Sequence, residues 1–305
     1  MSFAIASTID DALAALAAGA RPIAGGSDLV VGARHGKAPL PGHLVAIDRI
    51  AELHGVCATD SGVAIGALTS HGELEAHPLI GEQWSALADG CALVGSPATR
   101  HVGTIGGNVM NASPAMDTGA PLVVLGAEVE LRSLRGSRRV TAAELWTGPG
   151  RTSAAADELC TVVHLPDQGP RSGSAYMRLE YRRAMEIAVV GAAASVSLAD
   201  DGTVACASVA LTAVAPTILA VTGLEALTGM PVAAAAAAAR AAASQQARPI
   251  SDLRASDEYR RHAVGVMAGR ALEAAARRAA GETIPVPLNR STGVGAAWSA
   301  TGAAS

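Results

Sequence analysis

The chain has 305 residues, 50% of them hydrophobic and 16% charged, with a formal net charge of −4. That balance suits two or three globular domains and excludes an intrinsically disordered chain. Net negative charge and only 2% aromatic residues leave neither a basic field for a nucleic-acid backbone nor a stacking platform for single strands.

Thr8-Ile9-Asp10-Asp11 has the form of a capping box before Ala12-Leu13-Ala14-Ala15-Leu16, and Gly19 suits the left-handed residue that ends such a helix. Pro22-Ile23-Ala24 is expected as a short strand entering a glycine turn. Residues 44–48 and 63–67 are expected as strands, with Thr69 as the N-cap of a helix starting near His71. Residues 84–94 have helical spacing that Gly95-Ser96-Pro97 should end. Residues 120–125 suit a buried helical turn and 128–132 a strand, and Thr141-Ala142-Ala143-Glu144 is a second capping box. Pro and Gly crowd together between 166 and 174, marking a domain boundary. Beyond it come strand candidates at 175–179, 188–198 and 206–213, with the hairpin turn Asp200-Asp201-Gly202 between the last two. Alanine-rich helices are expected at 219–227, 232–245 and 257–280. The Gly/Ser/Thr/Pro-rich tail from 281 is expected to be partly disordered or draped on a partner.

Two glycine-rich stretches carry the chemistry: Ile23-Ala24-Gly25-Gly26-Ser27-Asp28-Leu29, and Thr104-Ile105-Gly106-Gly107-Asn108. Paired glycines let backbone amides approach a ligand without a Cβ in the way, and a run of such amides makes an anion cradle. Either stretch alone is equally a plain tight turn. Neither has the Rossmann or P-loop spacing. Together, with Asn111, Ser113 and Asp117 following the second, they suggest a long ligand with a phosphate bridge. The polar side chains would meet phosphate, ribityl and ribose oxygens. Cys57, Cys91, Cys160 and Cys206 are too scattered for a zinc or iron–sulfur cage and fit a reducing compartment. There is no basic n-region or apolar run of ~18 residues, so a cytoplasmic location is expected.

The segment from Gly95 to Asp117, containing Arg100-His101-Val102-Gly103-Thr104-Ile105-Gly106-Gly107-Asn108, resembles the signature of the FAD-binding medium subunits of molybdenum hydroxylases. That family includes the medium subunit of aerobic carbon monoxide dehydrogenase and the flavin domain of xanthine dehydrogenase. The segments 23–29, Thr147-Gly148-Pro149-Gly150-Arg151-Thr152, 182–191 and 247–261 agree with it, and the match runs over about 3–279. The resemblance implies an α+β fold: a two-subdomain FAD-binding (PCMH-type) domain at 1–168, split near 55, and a C-terminal domain at 172–280 with a three-stranded antiparallel sheet and helices. It implies non-covalent FAD, with Ile23 to Leu29 around the pyrophosphate and Thr104, Gly107, Asn108, Asn111, Ser113 and Asp117 on the other side. Arg178 stands where the family often has Lys near the isoalloxazine, and would stabilise charge building on the reduced ring. His101 replaces a common Asn, and Asn111 a common Thr or Cys.

The function implied is an electron-transfer flavoprotein subunit with no catalytic residues of its own. A large subunit would carry molybdopterin and a small subunit [2Fe–2S] clusters, as a dimer of heterotrimers passing electrons through FAD to an external acceptor. Two other readings stay open: a standalone FAD-dependent reductase of a related fold, and a non-catalytic nucleotide-binding assembly module.

Overall fold

The computed structural model describes residues 2–36, 39–182 and 184–291. It opens with β1 (Ser2–Ile5), α1 (Ile9–Ala17), β2 (Arg21–Ile23), α2 (Ser27–Arg34) and β3 (His43–Ala46). The strands form a parallel sheet in the order β1-β3-β2. Thr8 caps α1 as expected: its hydroxyl accepts from the Asp11 N–H, and the Asp11 carboxylate accepts from the Thr8 N–H. Helical spacing puts Ile9, Ala12, Leu13 and Leu16 on one buried stripe, packed with Val45 and Ile47.

A second unit follows: β4 (Val56–Thr59), β5 (Gly62–Gly66), α3 (His71–Ala76), α4 (Pro78–Gln83), α5 (Ser85–Cys91), α6 (Pro97–Val102), α7 (Ile105–Asn111), α8 (Gly119–Val124), β6 (Glu128–Ser133), β7 (Gly136–Thr141), α9 (Ala142–Leu145), the hairpin β8 (Trp146–Gly148) and β9 (Arg151–Thr152), and β10 (Leu159–Pro166). Its antiparallel sheet runs β4-β5-β10-β6-β7. Along β6 burial alternates, so Val129 and Leu131 enter the core while Glu128 and Glu130 stand on the other face.

The third unit has β11 (Ser172–Leu179), β12 (Val190–Leu198), β13 (Val204–Thr212) and β14 (Leu219–Ala220) in sequential antiparallel order, then α10 (Val232–Gln246), α11 (Asp257–Ala279) and α12 (Leu288–Ser291). The sheet has a fourth, two-residue strand beyond the three expected. Small residues let α10 and α11 approach closely: a Cβ on Gly265 would fall 2.1 Å from Ser244 Oγ.

The structure differs from the sequence expectations at several ends. Ser70, not Thr69, caps α3, because Glu73 sits three residues after Ser70 and the two side chains exchange bonds with each other's backbone N–H; Thr69 instead donates to the Gly55 carbonyl. Pro97 does not only stop a helix. It opens α6 at a position where its missing N–H costs nothing, with Ser96 as cap. Residues 219–227 form β14 and a 3-10 turn (Leu224–Leu227) rather than a helix, divided by Gly223 at φ +78°. Part of the expected tail packs inward: Leu288 is fully buried. Residues 292–305 lie outside the described residues.

The second and third units share one core, in which Tyr176, Ala193, Ala210 and Ile218 join Trp84, Leu87 and Leu122. Asp89 on α5 lies at this junction, fully buried. It accepts from the backbone N–H groups of Tyr176 and Leu288 and from both terminal nitrogens of Arg278.

Candidate functional site

The two glycine stretches meet. At the end of β2 the chain turns through Gly25 and Gly26, the latter at φ +68°, into α2. A Cβ on Gly25 would lie 1.6 Å from the Val102 carbonyl oxygen and 3.3 Å from the Gly103 nitrogen. Only glycine permits this backbone-to-backbone contact, and it seats residues 24–29 directly on the approach to the second stretch. Ser27 Oγ lies 3.6 Å from where a Gly103 Cβ would stand.

The two stretches use their amides differently. Helix α2 has no side-chain cap, and none of its eight residues is buried. A helix leaves its first N–H groups without intrahelical partners, and with the dipole they attract anions. Helix α7 is the opposite case. Thr104 caps it, its hydroxyl accepting from the Gly107 N–H at 3.1 Å. The Ile105 N–H goes to Thr69 O, Gly106 N–H to Ala67 O and Asn108 N–H to Thr104 O. For the second stretch the expected amide cradle is corrected: its amides turn inward. Gly106 serves close packing, since a Cβ there would fall 2.6 Å from Ala67 Cβ. What α7 presents outward is one helical face, with Gly107 and Asn111 exposed four residues apart. Asn108 is half-buried and accepts from the Thr118 hydroxyl, and Ser113 accepts from the Ala115 N–H.

Asp117 and Arg178 pair with each other. The Arg178 side chain has no exposed surface; Nη1 reaches Asp117 Oδ2 at 2.7 Å and Nε reaches Glu180 Oε2 at 2.7 Å. The Tyr176 hydroxyl donates to Asp117 Oδ1. Burial pushes the Asp117 carboxyl up to about 6 against the pull of Arg178. Asp117, expected among the residues lining the cofactor, and Arg178, expected near the isoalloxazine, are joined in a buried ion pair between the second and third units. Sequence reasoning treated each charge singly and missed Glu180. The segment after it still reaches the cradle side: the Met185 N–H donates to Gly95 O, and Met185 Sδ lies 3.9 Å from Thr99 Oγ1.

His71 was also missed. Its backbone N–H donates to Gly103 O, its ring lies 3.3 Å from the Gly103 Cβ position, and it is 1% exposed with Nδ1 unpartnered. The Ser70–Glu73 spacing was the available signal. Burial, with Arg100 nearby, lowers the His71 pKa from 6.5 to about 4. The unfolded chain therefore takes up the proton first as pH falls. The contribution of neutral His71 is complete above 6.5 and lost towards 4, a swing of about 3 kcal/mol. Denaturation of the protein and of His71→Gln across that window should show the unsubstituted protein losing the larger share. Parallel curves would contradict the assignment.

Residues 1–168 match the family described as the FAD binding domain in molybdopterin dehydrogenase, and residues 174–275 match the CO dehydrogenase flavoprotein C-terminal domain. The xanthine dehydrogenase FAD-binding subunit of Escherichia coli O157:H7 is 31% identical over 287 residues, spanning 92% of this chain and 98% of that protein. The carbon monoxide dehydrogenase medium chain of Afipia carboxidovorans is 34% identical over 267 residues, spanning 85% and 90%. Among solved structures, reconstituted CO dehydrogenase from Oligotropha carboxidovorans superposes with a TM-score of 0.87 at 32% identity, over 91% of this chain and 98% of that one. With both halves matched and the fold shared, the chain belongs to the FAD-binding flavoprotein subunits of the molybdenum hydroxylases.

Proposed function

We propose that this chain relays electrons within a hydroxylase assembly. It receives them from a small subunit bearing [2Fe–2S] clusters, and an external acceptor takes them away. A large subunit carrying molybdopterin oxidises the substrate, and the three chains assemble as a dimer of heterotrimers in the cytoplasm. FAD supplies one- and two-electron chemistry when bound; the protein supplies orientation, burial and electrostatics.

The residues present fit that cofactor. Ile23 to Leu29 would hold the pyrophosphate at the uncapped N-terminus of α2. The α7 face with exposed Gly107 and Asn111 and half-buried Asn108 would meet sugar and ribityl hydroxyls, and Thr104 fixes that face by capping its helix. Ser113 continues the lining. The Asp117–Arg178 joint holds the third unit, and with it Met185, beside α6.

The observation that carries the reading is the contact of Gly25 with the Val102 carbonyl, which joins an uncapped helix terminus to the second glycine stretch. Co-purified with its cognate subunits, the protein should show oxidised-flavin absorption at one FAD per chain, bleached by dithionite. A folded, colourless chain that cannot be reconstituted with FAD would refute it. A chain that turns over its own substrate without partner subunits would refute the relay.

A further inference from the structure

Gly103 is a glycine that its backbone does not require. At φ −72° and ψ 132° it ends α6 in an extended geometry that any residue adopts. What excludes a side chain there is the surroundings. A Cβ would stand 3.1 Å from Thr99 O, 3.3 Å from His71 Cδ2 and 3.6 Å from Ser27 Oγ. The first two distances are tighter than ordinary packing contacts. The missing methyl thus keeps one small gap open, and the His71 imidazole and the Ser27 hydroxyl both border it.

The two side chains come from the first residues of α3 and α2. Ser27 belongs to the cradle. It is half-buried, and among the described residues no hydrogen bond fixes its hydroxyl. His71 is 1% exposed, and it is its backbone N–H, not its ring, that bonds Gly103 O. Its ring Nδ1 has no partner. Burial, and then the charge of Arg100, hold the ring neutral. Arg100 is itself buried on α6, with Nε 2.8 Å from Glu75 Oε2. A neutral imidazole has one N–H and one bare nitrogen. With the proton on Nε2 it can donate to a hydroxyl oxygen and leave the hydroxyl's own proton for a phosphate oxygen. Each bond in such a chain polarises the next.

We propose that His71 is a positioning residue for the cofactor's diphosphate, acting through the Ser27 hydroxyl across the gap that Gly103 leaves. This rests on the flavin-binding reading above and deepens it. The amides that open α2 attract the diphosphate from any direction they face. His71 and Ser27 add one directed donor, and the absent Cβ at Gly103 keeps the line between them clear.

The test is titration with FAD of the deflavinated complex, the full chain with its cognate subunits. Ser27→Ala should weaken FAD binding about tenfold and His71→Leu about fivefold. Leucine leaves the backbone bond from residue 71 to Gly103 in place. Because His71 acts through Ser27, the double variant should bind no more weakly than Ser27→Ala alone. His71→Gln, which keeps an N–H donor, should recover most of the affinity. The phosphorus NMR signals of the bound diphosphate should move in the same direction in Ser27→Ala and His71→Leu. Gly103→Ala runs the same cycle should His71→Leu not fold: it should weaken FAD binding by itself and add little to Ser27→Ala. Losses that multiply in the double variants, or a glutamine variant as weak as the leucine one, overturn the assignment and leave the flavin reading standing. An unsubstituted complex that takes up no FAD refutes the flavin reading and this one with it.

Discussion

Gly25→Ala should strip the protein of FAD while leaving most of its fold intact. The new methyl would stand 1.6 Å from the Val102 oxygen and 2.5 Å from its carbonyl carbon. Those are main-chain atoms that cannot rotate away. They are anchored on both sides, by the Gly103 N–H on Thr99 O at 2.7 Å and by the His71 N–H on Gly103 O at 3.0 Å. Residues 24–29 must therefore lift off the second stretch, and the uncapped end of α2 separates from α7. Bound flavin per chain should fall at least about tenfold, equal to 1.4 kcal/mol or more of lost binding. The accompanying loss of folding stability should be about 1–3 kcal/mol, as for other overpacked sites. Gly32→Ala is the matched control. It lies in α2, the helix this turn enters, with nothing within 4 Å of its Cβ position, so alanine should raise stability by up to about 1 kcal/mol and leave flavin in place. Absorbance per chain decides it: a yellow Gly25→Ala protein at normal stoichiometry would remove the cradle from the cofactor site.

Asp89→Ala should be strongly destabilising, at about 3–5 kcal/mol. It removes the acceptor of two guanidinium bonds and two backbone N–H groups at once, and leaves Arg278, 8% exposed, as an uncompensated buried charge. Burial raises the Asp89 pKa while Arg278 and the donor N–H groups pull the other way. The geometry identifies it as one half of an ion pair. Removing both partners should cost less than the sum of the single losses, because the double variant strands no charge. Denaturant unfolding of Asp89→Ala, Arg278→Ala and the pair measures the coupling. Additive losses would show that the junction is held by packing alone.

The strongly patterned parts of the chain were legible. The Thr8 box, the Asp200-Asp201-Gly202 turn and the strand at 128–132 each express a local rule, and local rules survive into the fold. What the sequence could not show was how backbone groups were already spent. Both glycine pairs look alike in a string of letters. Only the fold reveals that Ile105 and Gly106 donate to Thr69 and Ala67 while α2 keeps an uncapped end. Arg178 and Asp117 are 61 residues apart, so nothing local announced that they neutralise each other. Residues 219–227 carried helical spacing, yet pairing of Leu219 with Leu211 on β13 overrode it. Pro97 had two opposite meanings, stop and start, and Ser96 in front of it decided between them.

The dependence of Asp89 on Leu288 also orders events during synthesis. As the polypeptide leaves the ribosome, the first two units and the β11 edge appear long before Arg278 and Leu288 do. Until those late residues emerge, Asp89 has the Tyr176 N–H but neither the Arg278 guanidinium nor the Leu288 N–H. A chain cut before Arg278 should therefore unfold at a lower denaturant concentration than the full one.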